Sequence, residues 1–115
     1  MAGDDCIFCK IANGAIPAKK LVEDEEMVAF DDINPQAPVH FLVVPKAHIP
    51  TFDDLSPKHA ELVGRMMVRA AELAREKGIA TSGYRQVINC RGHGGQEVPH
   101  LHIHIMGGRQ MGKMG

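Results

Sequence analysis

The sequence predicts one α+β domain, in which a five-stranded, mainly antiparallel sheet is covered by one long and one short helix. Three observations carry this prediction: short apolar runs between turn residues, a long segment with helical periodicity, and strict polar and apolar alternation near residue 100. The chain has 115 residues, 44% of them hydrophobic, so it can bury a single core. We therefore expect one domain over residues 1–115.

The short helix is predicted near the start of the chain, over residues 6–12. Asp5 can serve as its N-terminal cap, and Asn13-Gly14 supplies its stop. The apolar face of this helix consists of Ile7, Phe8 and Ile11.

Three strands are predicted before residue 50. Met27 to Phe30 and Phe41 to Val44 are apolar runs bounded by turn residues, with Asn34-Pro35 between them. A further strand is placed at Lys20 to Glu23. We expect these strands to be neighbours in the sheet.

The long helix is predicted to begin at Ser56-Pro57, a cap followed by proline, and to end at Gly78, a length of about 20 residues. Charged side chains lie largely opposite its apolar stripe, so the stripe should pack on the sheet. The stripe consists of Val63, Met66, Met67, Ala70, Leu73 and Ala74.

Two more strands flank a glycine-rich loop at residues 91–96. Tyr84 to Cys90 predicts the first, and the alternation over His100 to Met106 predicts the second. Since side chains alternate across a strand, three histidines should share one face and three apolar residues the other. These are His100, His102 and His104 on one face, and Leu101, Ile103 and Ile105 on the other.

Composition and charge argue against several classes of function. Thirteen Lys and Arg balance fourteen Asp and Glu without a long basic block, so nucleic acid is not an expected partner. No apolar run approaches the ~18 residues of a membrane span, and the N-terminus lacks the plan of a signal peptide. Three cysteines, an odd number, argue against a disulfide framework. We expect a cytoplasmic protein with no membrane partner.

The histidine strand has three interpretations. It could be a solvent-facing strand that uses histidine as its polar residue, or a metal site, since two imidazoles about 7 Å apart can converge on one ion. In the third, one imidazole attacks an electrophile while the others donate hydrogen bonds to its oxygens. We favour the third, because Gly92, Gly94 and Gly95 would let backbone N–H groups approach a phosphate.

Other residues could complete a nucleotide pocket, and each also has a structural interpretation. Asp32 could accept hydrogen bonds from two ribose hydroxyls, or form an Asx turn. Asn89 could reach a phosphate or cap a turn. Four apolar residues could enclose a base or belong to the core, and for one of them, Leu42, core is the favoured interpretation. The four are Ile7, Phe8, Ile33 and Leu42.

The segment His100-Leu-His-Ile-His-Ile105 resembles the His-x-His-x-His-x-x signature of the histidine triad (HIT) proteins. Further similar motifs occur in order along nearly the whole chain, at residues 6–11, 16–19, 30–38, 40–46 and 94–98. Residues 40–48 and 107–111 are similar to the Hint branch, the nucleoside phosphoramidate hydrolases.

This resemblance implies a mechanism and a homodimer. His102 would attack the α-phosphorus of a purine nucleoside 5′-phosphoramidate, and water would then release AMP or GMP from the nucleotidyl-histidine. His104 would bond the phosphate and help protonate the leaving amine, with His40 behind it. The dimer would form through the long helix and residues 84–90, which joins two sheets into one of ten strands.

The resemblance also implies the substrate contacts. Ile7, Phe8, Ile33 and Leu42 would line the purine slot, Asp32 would take the ribose, and the loop residues Asn89, Gly95, Gln96, Glu97 and Val98 would face the phosphate and the leaving group.

Cys6-x-x-Cys9 has the spacing of a zinc half-site, although redox-active or inert pairs share it. The resemblance supplies two further ligands, His48 and His100, so we expect a structural zinc ion in which His100 is a ligand. Two free thiols beside two hydrogen-bonded histidines are the alternative. No catalytic metal is expected, since one nucleophile and one proton donor suffice to break a P–N bond.

The sequence departs from the family pattern at three places, and the identity of the leaving amine stays open. Glu97 stands where many Hint proteins have a serine, Pro99 replaces an aromatic residue, and residues 111–115 lack an aromatic tail residue. The alternative functions are a dinucleoside polyphosphate hydrolase, a nucleotidyl transferase, and a nucleotide-binding adaptor with incidental activity. The transferases usually carry His-x-Gln, whereas His104 is present here.

Overall fold

The computed structural model describes residues 5–114. Its elements are α1 (Ile7–Ala12), β1 (Lys20–Glu23), β2 (Met27–Asp31), β3 (Val39–Pro45), α2 (Ala60–Glu76), β4 (Tyr84–Val87) and β5 (Ile103–Gly107), with two 3-10 turns at Phe52–Asp54 and Pro57–His59. Within this range the strands form one five-stranded sheet in the order β1-β2-β3-β5-β4, and every neighbouring pair is antiparallel. The predicted α+β fold is confirmed.

The two helices lie on opposite faces of the sheet. Alternate residues of β3 belong to different core clusters, with Phe41 and Val43 on the α2 side and Leu42 and Val44 on the α1 side. Because both faces of β2 and β3 are covered, these strands read as continuous apolar runs in the sequence. His104 pairs with Leu42 and therefore lies on the α1 face.

Several strand ends differ from the sequence prediction by one or two residues, and three ends of elements differ for reasons that the structure shows. The first helix is capped by Cys6, whose Sγ accepts the Cys9 N–H at 3.4 Å, and not by Asp5. β4 ends at Val87 instead of Cys90. β5 begins at Ile103 instead of His100, because the preceding residues bond outside the sheet: Leu101 N–H donates to Ile49 O at 2.6 Å.

The long helix also differs from its prediction in part. A 3-10 turn follows the Ser56 cap, and the α-helix itself begins at Ala60. The predicted burial of Met67 is wrong: its side chain is 40% exposed, since the buried seam follows Met66, Ala70, Leu73 and Ala74. Among residues 5–114, no helix has the length and apolar character that crossing a bilayer requires.

Candidate active site and metal centre

His102 lies just before β5, and its ring is oriented by the backbone. Nδ1 lies 2.7 Å from the carbonyl oxygen of His100, which can only accept, so Nδ1 carries the proton and Nε2 the lone pair. Burial lowers the pKa of His102 below its usual value, which keeps the ring neutral at pH 7. Nε2 has no partner among the described residues and is not buried from solvent. This is the geometry of an available nucleophile.

Phe8 of α1 supports that ring from one side. Its ring meets the His102 ring edge-on with centroids 4.9 Å apart, and it also contacts Phe30. The aromatic contact restricts the rotation of His102 about its side-chain bonds, so α1 contributes directly to the orientation of the imidazole.

The second imidazole pair is fixed by a chain of hydrogen bonds. The Gln36 N–H donates to His40 Nδ1 at 2.9 Å, so the proton of neutral His40 sits on Nε2. That Nε2–H lies 2.9 Å from His104 Nδ1 and donates to it. His104 therefore carries its own proton on Nε2, where it can be donated to a bound group. Burial, then the nearby His102 and His40, lower the pKa of His104 to about 4.

Asp32 adds a carboxylate beside the two rings. Its Oδ1 accepts the Asn34 N–H at 2.8 Å, so the Asx-turn interpretation is confirmed for this oxygen. Its Oδ2 lies 3.4 Å from His40 Nε2 and 3.9 Å from His104 Nδ1. With 17% of the side chain exposed, this second oxygen borders the site.

The glycine-rich loop is held by its own backbone and by one side chain. A Cβ on Gly94 would lie 2.5 Å from Cys90 O, and Gly95 has φ +82°, so both positions require glycine. The Gln96 side chain accepts from Arg91 N–H at 2.8 Å and donates to Pro50 O and Val98 O. The Gln96 side chain is thus used in holding the loop together. Glycine is required at position 94 because the backbone of Cys90 packs closely against it.

The four residues expected to enclose a base divide into two pairs. Ile7 and Ile33 are exposed, Ile33 completely, whereas Phe8 and Leu42 are buried in the α1 core cluster. The core interpretation of Leu42 is therefore confirmed. Asn89 follows the end of β4 and is half-buried, while Glu97 is exposed.

Cys6, Cys9, His48 and His100 form a compact cluster in which the four ligand-type atoms lie within 4.8 Å of one another. His100 Nδ1 lies 3.2 Å from Cys6 Sγ and 3.2 Å from His48 Nδ1. The fourth member, Cys9, has its Sγ 3.2 Å from His48 Nδ1. In a tetrahedral zinc site with these ligands, neighbouring ligand atoms are about 3.3–3.8 Å apart.

The surroundings of the cluster also fit a metal ion. The His100 Nε2–H donates to Pro45 O at 2.8 Å, so its Nδ1 offers a lone pair to the cluster, as zinc-bound histidines require. His48 Nε2 is buried without a partner among residues 5–114, which leaves Nδ1 as the engaged nitrogen of that ring. Burial, with the neighbouring Cys6 thiol, raises the pKa of Cys9 to about 11, so this thiol ionises only if a cation binds it.

The sequence did not identify which backbone groups orient the imidazoles of this site. The Gln36 N–H, the Pro45 carbonyl and the His100 carbonyl fix three imidazoles, but any residue type supplies these groups. A partial signal was the position of Gln36 in the Pro-containing turn beside Asp32.

Together, the fold and the site define a small α+β protein that presents an imidazole lone pair next to an imidazole N–H. The family model described as "Scavenger mRNA decapping enzyme C-term binding" matches residues 5–115. Protein HitA of Neisseria gonorrhoeae is 52% identical over 104 residues, covering 90% of this chain and 96% of its own. The purine nucleoside phosphoramidase of Escherichia coli K12 is 46% identical over 111 residues, covering 96% and 93%.

Solved structures agree. A HIT family hydrolase from Legionella pneumophila superposes with a TM-score of 0.92 at 50% identity, covering 93% of this chain and 96% of that one. A histidine triad protein from Clostridium difficile reaches 0.94 at 46% identity, with all of both chains covered. The chain belongs to the histidine triad (HIT) family, and the resemblance noted in the sequence is confirmed.

Proposed function

We propose that this protein hydrolyses the P–N bond of purine nucleoside 5′-phosphoramidates, releasing a nucleoside monophosphate and an amine. The observation that carries the proposal is the 2.7 Å contact between His102 Nδ1 and His100 O, which leaves Nε2 as a neutral nucleophile. The name of the Escherichia coli relative supports the substrate class.

In the first step, His102 Nε2 forms a bond to the α-phosphorus and the P–N bond breaks. The leaving nitrogen takes its proton from His104 Nε2. Free His104 is neutral, but an anionic phosphoryl group beside it raises its pKa, so the bound substrate brings the required proton onto this ring. In the free site the His40 Nε2–H donates to His104 Nδ1 and directs His104 Nε2 at the substrate. The extra proton enters at Nδ1, and the His40 Nε2–H then turns to Asp32 Oδ2, which lies 3.4 Å from it.

In the second step, water attacks the phosphorus of the nucleotidyl-histidine. His104, neutral after the first step, accepts a proton from this water, and the bond to His102 Nε2 breaks. The nucleoside monophosphate leaves, His104 releases its extra proton to water as its pKa falls again, and His102 returns to its neutral state with Nδ1–H on the His100 carbonyl.

The remaining substrate contacts follow the family pattern. The Oδ2 atom of Asp32, which accepts no backbone N–H in the described part of the chain, would accept hydrogen bonds from the ribose hydroxyls. The exposed Ile7 and Ile33 would cover the purine, with buried Phe8 and Leu42 beneath them. Asn89, Gly95, Gln96, Glu97 and Val98 would form the phosphate and leaving-group side, with Gln96 acting through the shape of the loop.

We propose a structural zinc ion held by Cys6, Cys9, His48 and His100. When bound, the ion would cross-link α1 to the segments after β3 and before β5. No step of the hydrolysis uses it.

A homodimer is proposed from the exposed apolar surface of α2. Met67 and Val68 are 40% and 62% exposed, and β4 is an edge strand with unpaired backbone groups. Light scattering of the purified protein should give twice the chain mass, and a single-chain mass would contradict this proposal.

The catalytic proposal is tested by AMP release from adenosine 5′-phosphoramidate, with and without a chelator. Wild type should turn over in both conditions, and His102→Ala should lose at least ~1000-fold in kcat. His59→Ala is the matched control, because it also removes an imidazole but at the start of the long helix, outside the proposed site. There His59 Nδ1 accepts a hydrogen bond from Ser56 N–H. Turnover that survives His102→Ala would contradict the covalent scheme. Turnover of a dinucleoside polyphosphate alone would contradict the substrate class.

A further inference from the structure

Two of the site's polar residues border the loop between β2 and β3: Asp32 begins the loop, and His40 is the second residue of β3. The loop is closed by a hydrogen bond from Asp32 N–H to His40 O at 3.0 Å. Inside it, Gln36 N–H donates to His40 Nδ1, and the Gln36 side chain donates to Asn34 O at 3.1 Å. These bonds all lie within residues 32–40.

Arg109, just after β5, connects this loop to another part of the chain. Its Nη2 donates to Gln36 O at 2.8 Å, and its Nη1 donates to Gln110 O at 3.0 Å. Among the hydrogen bonds of residues 5–114, the bond to Gln36 O is the one that ties residues 33–38 to a residue outside the range 32–40. The guanidinium therefore binds two backbone carbonyl groups, and it has no carboxylate partner in the described range.

Gly108 brings the chain into contact with the same loop. It has φ +94°, and a Cβ built on it would lie 2.9 Å from Pro38 Cβ. The chain after β5 thus meets the loop at two adjacent points, Gly108 against Pro38 and Arg109 on Gln36. His104 lies on β5, a few residues before Gly108 and Arg109. One continuous stretch of chain therefore supplies the His104 imidazole and also holds the loop that orients the His40 imidazole.

Gln36 transmits this contact to the imidazoles. Its carbonyl is held by Arg109, and its N–H decides which nitrogen of His40 carries the proton. A neutral imidazole has one N–H, so loss of the Gln36 contact would allow His40 to carry its proton on Nδ1. His104 Nδ1 would then lose its donor, and the proton on His104 Nε2 would no longer be fixed.

We propose that Arg109 is a positioning residue for the hydrolysis, which acts through Gln36 and His40 to keep the His104 proton on Nε2. This inference rests on the proposed function for its kinetic consequence. Its structural content, the protonation pattern of His40 and His104, holds whatever the substrate is.

The test compares Arg109→Ala and Arg109→Lys with Arg85→Ala. Arg85 is a matched control because its Nη2 also donates to a backbone carbonyl near residue 110, Gly112 O at 2.6 Å, and among residues 5–114 it forms no hydrogen bond with the loop. The first readout is the ¹⁵N NMR spectrum of the histidine rings, which distinguishes the Nδ1–H from the Nε2–H form. The second is kcat and KM for adenosine 5′-phosphoramidate, with the melting temperature of each variant.

In wild type and Arg85→Ala, both His40 and His104 should show the Nε2–H form alone. Arg109→Ala should show mixed forms at both rings, and kcat should fall about 3- to 10-fold with KM nearly unchanged. Arg109→Lys, which keeps a cationic donor, should retain most of the activity.

An unchanged ring spectrum in Arg109→Ala would overturn the proposal, as would an equal change in Arg85→Ala. If wild type fails to turn over any phosphoramidate, the proposed function is wrong, and the NMR comparison still decides the role of Arg109.

Discussion

His100 and His102 are joined by a hydrogen bond that connects the candidate metal cluster to the proposed nucleophile. The His100 ring contributes Nδ1 to the cluster, 3.2 Å from Cys6 Sγ, while its backbone carbonyl accepts the His102 Nδ1–H at 2.7 Å. One residue therefore has its side chain in one centre and its main chain in the other. Any displacement of the His100 backbone alters the acceptor that sets the protonation of His102.

Removal of a metal ligand should affect both centres. Cys9→Ser should lose bound zinc, and with it the stabilisation that a ligand of the folded state provides, about 3–4 kcal/mol when free zinc is 100 to 1000 times its Kd. The kcat for phosphoramidate should also fall, because the His100 backbone is no longer held on the ligand side. Zinc content, thermal unfolding and turnover are measured together.

Cys90→Ser is the control for this experiment, since Cys90 lies outside the cluster. Equal zinc content in Cys9→Ser and wild type would contradict the assignment of the cluster as a metal site.

Stability should fall with acid over a defined range of pH. The pKa of His104 is lowered from its usual value of 6.5 to about 4 in the folded protein, chiefly by burial. Between these values the unfolded chain binds a proton that the folded chain does not, so stability is complete above pH 6.5 and declines as the pH falls to about 4. The loss from this group is about 3 kcal/mol, measurable by urea unfolding at several pH values.

His104→Gln should show a shallower decline over the same range, because the titrating ring is gone. The lowered pKa of His40, also caused by burial, acts in the same direction and leaves part of the slope. Stability that rises as the pH falls from 6.5 to 4 would contradict this account.

Gly94→Ala should damage the glycine-rich loop. The added Cβ would lie 2.5 Å from Cys90 O and 2.8 Å from Cys90 N, and these backbone atoms have little freedom to move. We expect a destabilisation of about 1–3 kcal/mol and a clear loss of turnover. Gly92→Ala is the matched control, since nothing lies within 4 Å of its Cβ position. Equal melting temperatures for the two variants would refute the prediction.

Asp32→Asn should separate the two roles of this side chain. The amide oxygen can still accept the Asn34 N–H and keep the turn, but the charged acceptor for the ribose is lost. The value of kcat/KM for adenosine 5′-phosphoramidate should fall about 10- to 100-fold, as expected for hydrogen bonds to a charged group. The analogue 2′,3′-dideoxyadenosine 5′-phosphoramidate lacks both ribose hydroxyls, so its kcat/KM should be the same for wild type and variant. An equal fall in kcat/KM for both substrates would show that the effect does not come from the contact with the ribose hydroxyls.

Much of the fold was predictable because burial leaves a periodic signature. β1 and α1 lie where their residue patterns predict them, and the alternation from His100 onward correctly identified the apolar side, with Leu101, Ile103 and Ile105 all buried. Met67 was predicted wrongly because an apolar residue at the border of a helical stripe looks the same whether it faces the sheet or solvent.

The candidate site was predictable in its side chains but not in its backbone groups. The spacing Cys6-x-x-Cys9 pointed to a half-site, yet it gave no sign that Cys6 also caps α1. Nor did any residue type indicate that the Gln36 N–H or the Pro45 carbonyl would fix imidazole rings, since these bonds depend on where the chain runs.

The strand order has a consequence for how the protein folds. β5 follows β4 in the chain but lies between β3 and β4 in the sheet, and β4 has β5 as its neighbour. During synthesis β4 therefore stays unpaired until the residues of β5 have emerged from the ribosome. The pairing of His40 with His104 spans 64 positions, a non-local contact of the kind that forms slowly. The proposed site therefore cannot assemble on a nascent chain until the residues of β5 have been synthesised. Chains that end before β5 should not hydrolyse nucleotides.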